Sequence, residues 1–164
     1  MKSVQLSCEP ISRAAFRPYG DLIEPSDDDR PFGERDASPD LAAGKPRLYI
    51  MSLRSRGLTF EAITRHRKVS QCLASMGGLG WLLAVAPPGE VDDPDARPDP
   101  DAIKGFSIPG SVAIKLHRGT WHAGPYFEAD RMDYLNLELS DTNQADHHTC
   151  HLDTAFGIKM TLVP

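Results

Sequence analysis

The sequence predicts an all-β fold, a sandwich or barrel of short strands with one short helix near the N-terminus. Three observations carry that expectation. Apolar and polar residues alternate with the two-residue period of a half-buried strand in run after run. Fourteen prolines and thirteen glycines cut the 164 residues into short pieces. No stretch shows the apolar spacing of a long amphipathic helix. At 164 residues and 18.0 kDa the length suits a single domain, residues 1–164, with one core.

Taken in order, "ISRAAFRPYG" offers the helix. Ser12 caps it, Ala14, Ala15 and Phe16 form it, and Pro18 and Gly20 end it. "EPSDDDRPFGERDASPD" (24–40) is too polar for core and is expected to be a mobile surface loop. "RLYIMSLR" (47–54) alternates, with Leu48, Ile50 and Ser52 on one side and Tyr49, Met51 and Leu53 on the other. "LTFEAITRHRK" (58–68) alternates as a single strand, Phe60 facing one way and Ile63 and Arg65 the other. "SQCLASM" leads to a Gly77-Gly78 turn. "WLLAVAP" (81–87) is the continuous apolar run of a strand buried on both faces. A second loop holds five Pro and six acidic residues between Pro87 and Ala102. "IKGFSI", a Pro109-Gly110 turn, "SVAIKLH", "MDYLNLELS" (132–140) and "FGIKMTLV" complete eight to ten strands.

Composition excludes several partners. The net charge is −5, with no block of Lys or Arg, which argues against nucleic acid and anionic membrane. No apolar run is long enough for a signal peptide or a bilayer span. The three cysteines, Cys8, Cys72 and Cys150, are far apart and odd in number, which points to a reducing cytoplasm.

Three stretches gather groups capable of chemistry: Arg65-His66 with Gln71, the hexapeptide "HRGTWH" (117–122), and "DHHTCHLD" (146–153). In the second, Ala113, Lys115 and His117 share one strand face, and Gly119 lets the chain turn tightly enough to aim His122 inward. A lone histidine beside a tryptophan is more often a hydrogen-bonded structural residue; two histidines and an arginine within six residues bring structure and chemistry to an even match. In the third, His147, Thr149 and His151 share one strand face and His148 and Cys150 the other, so they cannot converge on one ion. An edge strand is the favoured reading there.

Gly-x-x-His at 119–122 and His66-x4-Gln71 resemble the two motifs of the cupin superfamily, the second with Gln in place of Glu. "RH…SQ" (65, 66, 70, 71), "LLAVAPPG", "KGF" and above all "HRGTWH" resemble the ureidoglycolate lyase family, as does the opening "ISRAAFRPYGDLIE". The resemblance runs in order from about residue 11 to 140. Departures are Ala123, where the family commonly has a second histidine, Thr64 in place of an acid, and Glu138-Leu139 in place of Asp-Arg.

The resemblance implies a cupin-type jelly-roll β-barrel, a homodimer, and cleavage of ureidoglycolate to glyoxylate and urea in purine and allantoin breakdown. That elimination needs a base for the hydroxyl proton and an acid for the urea nitrogen, roles that suit His66, His117 and His122. Arg65, Lys115 or Arg118 could hold the substrate carboxylate, with Gln71 orienting substrate. Glu138 is a further candidate for substrate binding. A divalent metal on His66, Gln71 and His122 is a further expectation, more credible if Asp133 or Glu138 also points inward. A non-catalytic cupin that binds a small polar ligand, or a cupin enzyme acting on another small hydroxy or ureido acid, remain alternatives.

Overall fold

The computed structural model describes residues 1–164. Along the chain run β1 (Lys2–Pro10), α1 (Arg13–Phe16), β2 (Gly20–Ile23), β3 (Pro46–Arg54), β4 (Thr59–Phe60), β5 (Ala62–Arg65), β6 (Gln71–Ser75) and β7 (Trp81–Ala86). Then follow β8 (Lys104–Ile108), β9 (Ala113–Leu116), β10 (Trp121–Tyr126), β11 (Arg131–Leu139), α2 (Thr142–Ala145), β12 (His148–His151), α3 (Leu152–Phe156) and β13 (Ile158–Val163). The architecture is all-β, as expected, with thirteen strands where the sequence suggested eight to ten. The short helix also stands where it was placed, and the Ser12 hydroxyl accepts from the Ala15 N–H at 3.2 Å. Both acidic segments are connections without strands, and a 3₁₀ turn at Pro100–Ala102 ends the second.

The strands form two sheets. One has the order β12-β5-β10-β7-β8-β1-β13-β4, the other β2-β9-β6-β11-β3. In the first sheet β4 and β5 stand near opposite ends, yet Glu61 alone separates them along the chain. The sheet therefore curls round until its two ends approach, giving the barrel wall. The expected single strand over 58–68 is thus two strands. Phe60 and Ile63 are both buried in the same cluster, which an unbroken two-residue alternation would forbid.

That curl creates two cores. Between the sheets lie Phe16, Leu73, Trp81, Leu83, Val85, Phe106, Ile114 and Tyr134, with others. Behind the larger sheet lie Phe60, Ile63, Leu82, Ala84, Ala86, Trp121 and Leu162, with others. β7 divides its side chains between the two, which is why its run is apolar throughout and buried at every position. β1, which shows no strong pattern in the sequence, is a further strand of this sheet. Its first part pairs in parallel with β13, Lys2 opposite Ile158, and its last three residues pair with β8.

In β3 the two faces separate as the alternation required, but the apolar outer residues stay exposed. Tyr49, Met51 and Leu53 turn toward the interior, while Leu48 and Ile50 are 64% and 56% exposed.

Candidate active site

His66 follows the end of β5, and two hydrogen bonds of its own, with two more to its neighbours, fix it. Its Nδ1–H donates to the Asp146 carbonyl at 2.7 Å, and its own carbonyl accepts from Gly119 N–H at 2.7 Å. The Asp146 carboxylate accepts from the backbone N–H groups of Arg67 and Lys68, at 2.7 and 2.8 Å. Gly119 has φ +80°, and a side chain there would run into Val91, so the turn before β10 requires glycine. His122 then comes from β10, where its strand neighbours Trp121 and Ala123 face the rear core. Its Nδ1–H donates to the Thr120 carbonyl at 3.1 Å.

The rings of His66 and His122 lie 5.1 Å apart, centroid to centroid, and His147 stands 5.3 Å from His66 on its other side. With Nδ1 of His66 and His122 committed to carbonyls, Nε2 is the free nitrogen of each and carries the lone pair. Burial pushes the His66 pKa down. Burial, and after it the neighbouring His66 ring, push His122 down to about 3. Both imidazoles are therefore neutral near pH 7.

These rings line a cavity of about 230 Å³ between the sheets, together with Tyr49, Arg54, Arg56, Gln71, Asn136, Glu138 and Asn143. Gln71 and Glu138 are buried at its floor. Gln71 Nε2 donates to Asn136 Oδ1 (3.1 Å) and Glu138 Oε2 (3.3 Å), and Asn136 Nδ2 donates to Glu138 Oε2 (3.2 Å). Tyr49 Oη adds a bond to Glu138 Oε1 at 3.3 Å. This network fixes the Gln71 amide and leaves its Oε1 buried without a partner. A buried acceptor without a donor is a place for a ligand N–H or O–H.

Four expected site residues lie elsewhere. His117 Nε2–H donates to Arg17 O (3.1 Å) and does not line the cavity; the chain turns after it, so only His122 of the pair points in. Arg65 is wholly buried on the opposite side of β5, its donors taken by His148 and by the Pro88, Glu90 and Asp93 carbonyls. Lys115 lies on the outer face of β9, paired with Asp21 at 2.6 Å. Arg118 donates to Arg67 O at 2.9 Å and faces Asp40 and Asp92 in the two acidic loops. In their place the fold supplies Arg54 and Arg56 at the mouth, the latter 4.8 Å from the Tyr126 ring centroid. It also supplies His147, from the segment expected to be only an edge strand. β12 is an edge strand, paired with β5, but the residue before it turns into the cavity.

No three His, Cys, Asp or Glu side chains converge as a metal would require. Of the two acids that would strengthen a metal set, Asp133 is exposed and Glu138 does face the cavity, but its oxygens are engaged by Tyr49, Gln71 and Asn136. The two imidazoles and one neutral amide oxygen left over do not make up a closed ligand set. A larger cavity of about 640 Å³, lined by Ile11, Leu79, Trp81, Phe127 and Met132, has Glu128 as its only ionisable side chain and offers no acid–base pair.

The depressed His122 has a consequence for stability. Its ordinary pKa of 6.5 applies in the unfolded chain and a value of about 3 in the folded one. Between these the unfolded state binds more protons, so stability falls as pH drops through that window and is full above it. Thermal unfolding from pH 7 to pH 4 is expected to show a falling Tm. His122→Asn should flatten that slope; an unchanged slope in the variant would place the proton uptake elsewhere.

Two curled sheets that enclose a small cavity lined by imidazole, amide and carboxylate groups have the form of a small-molecule site. The chain belongs to the ureidoglycolate lyase family, whose pattern matches residues 3–159. A ureidoglycolate lyase of Pseudomonas syringae pv. syringae is 29% identical over 88% of this chain and 89% of its own. One from Pseudomonas fluorescens strain Pf-5 is 30% identical over 87% and 90%, and one from Azotobacter vinelandii 26% over the same shares. Among solved structures, RmlC from Streptococcus suis in complex with dTDP-D-xylose overlaps with a TM-score of 0.38 at 18% identity. That overlap covers 60% of this chain and 46% of RmlC, less than half of its length. No helix is long and apolar enough to cross a membrane.

Proposed function

We propose that this protein is a carbon–nitrogen lyase that cleaves ureidoglycolate to glyoxylate and urea. The observation that carries the proposal is the pair of neutral imidazoles, His66 and His122, whose free Nε2 atoms share one small cavity with the unpartnered Gln71 Oε1. Family membership supplies the substrate.

The substrate carboxylate sits at the mouth against Arg54 and Arg56, where charge-assisted bonds can form without burying an unpaired ion. A ureido N–H donates to Gln71 Oε1. His122 Nε2 takes the hydroxyl proton, the electron pair of the O–H bond becomes the aldehyde C=O, and the C–N bond breaks. The departing nitrogen takes up a proton, returned from the His122 imidazolium, and leaves as urea. No water is consumed. An anionic substrate beside the imidazoles also favours their charged form, which strengthens a base that is weak in the empty site. A divalent cation entering the cavity would meet His66, His122 and Gln71 Oε1, an open set, and no step is assigned to it.

Incubation with ureidoglycolate is expected to release glyoxylate and urea in equal amounts. Saturable binding without either product would instead support the reading as a non-catalytic small-ligand binder.

The free state of all three cysteines supports a cytoplasmic location. A homodimer would cover the exposed face of β3 and β11. There Leu48 stands opposite Leu137 and Ile50 opposite Leu135, on an edge strand with no further partner. Light scattering is expected to give twice the 18.0 kDa chain mass, and Ile50→Lys to give the single chain. A dimer that survives that change would use another surface.

A further inference from the structure

Along the strip formed by β12, β5 and β10, each histidine that lines the cavity has a chain neighbour on the opposite side, and those neighbours form a stack of their own. The pairs are His147 with His148, His66 with Arg65, and His122 with Trp121. On the cavity side the imidazole rings lie 5.1 and 5.3 Å apart. On the far side Arg65 Nε donates to His148 Nδ1 at 3.0 Å, and the guanidinium carbon sits 4.7 Å from the Trp121 ring centroid. The Trp121 and His148 rings are 4.9 Å apart. Adjacent residues of a strand point to opposite faces at a fixed offset, so a rigid stack on one face fixes the spacing on the other.

Arg65 is built to be rigid. It is fully buried, and none of its partners is a carboxylate. A buried guanidinium is destabilising unless its donors are satisfied. Here Nη1 reaches Pro88 O (2.9 Å) and Glu90 O (3.0 Å), and Nη2 reaches Asp93 O (2.6 Å). Arg67 extends the same grip to Val91 O and Asp92 O. The second acidic loop is thereby drawn over the far side of the strip, its carbonyls turned toward the two guanidinium groups. Val91 and Pro88 of that loop also lie against Gly119, at the turn that launches His122.

We infer that Arg65 is a positioning residue. It registers β12, β5 and β10 through its stack with His148 and Trp121, so that His147, His66 and His122 meet around the substrate. It touches no substrate and acts only through those imidazoles. The inference rests on the reading of the cavity as the active site, and two independent readouts separate the two.

The first is kinetic. Misplacing a catalytic group by about 1 Å costs on the order of 10²-fold. Arg65→Lys, which keeps the charge but not the planar fork, is expected to lower kcat by about that factor with KM within about threefold. His148→Ala should cost about tenfold in kcat, while His148→Asn, which restores an acceptor for Arg65 Nε, should recover most of it. The second readout is long-range ¹⁵N correlation of the imidazoles, which reports tautomer and order without turnover. The native protein is expected to show single Nδ1–H tautomers at His66 and His122, and the Arg65→Lys and His148→Ala proteins mixed or broadened ones. Unchanged imidazole spectra in folded variants would overturn the inference, as would a KM that rises as far as kcat falls or a His148→Asn protein no better than His148→Ala. If Arg65→Lys fails to fold by circular dichroism, the two His148 variants decide. Were the cavity not the active site, His122→Ala would retain activity while the spectra still tested the stack.

Discussion

His122→Ala is expected to abolish glyoxylate release, lowering kcat about 10³-fold or more, in a protein that remains folded. General acid–base catalysis by a placed imidazole contributes typically about 10²–10⁴-fold, and here one ring both takes and returns the proton. The ring is neutral in the free protein and carries a single structural bond, to the Thr120 carbonyl, so its removal leaves no buried charge without a partner. Circular dichroism should match the native protein. His117→Ala is the control, because its ring is held by Arg17 O away from the cavity, and it should retain near-native turnover. A His122→Ala protein with near-native activity would remove that histidine from the mechanism.

The second large effect falls on KM. Replacing both Arg54 and Arg56 by alanine is expected to raise KM by about 10- to 100-fold and change kcat by less than about threefold. A hydrogen bond to a charged group contributes about 1.5–3 kcal/mol, and about 1.4 kcal/mol is tenfold in affinity. Both side chains are exposed at the mouth, so their attraction is screened by salt, and native KM should rise with ionic strength more steeply than that of the double variant. Lys115→Ala and Arg118→Ala should leave KM unchanged, since Lys115 is paired with Asp21 and Arg118 lies over the acidic loops. A carboxylate site at either of those would show the reverse pattern.

These contrasts mark what could be read in the sequence. β7 was legible because an apolar run with no polar interruption has one simple explanation, burial on both faces. His66, Gln71 and His122 were legible through motif spacing, and the structure brings all three, with Glu138, to one cavity. Arg65 and His117 were not distinguishable from them, because neighbours on a strand face opposite ways and composition does not say which side is hollow. Arg65 reads as an anion anchor from its charge, and only the carbonyls of residues 88–93 reveal that the charge is already engaged. His147 stood in a stretch rich in groups capable of chemistry, but local pattern gave that stretch to an edge strand and not to the cavity. It reaches the cavity because Asp146 closes on His66 across eighty residues of chain. Arg54 and Arg56 were hidden similarly, at the end of a strand whose pattern spoke only of its faces.

The parallel seam between β1 and β13 bears on how the molecule comes into being. Residues 2–7 find their partners at 158–163, so β1 waits for a strand far along the chain. Until then only its final three residues have a place, beside β8. Native pairings of such long sequence separation are slow to form, because the entropy of closing the intervening loop is lost before the contacts return it. The β4 edge is in the same position, since it too pairs with β13. Closure of the barrel wall is therefore a late event, while the β6–β11–β3 sheet that floors the cavity can assemble beforehand.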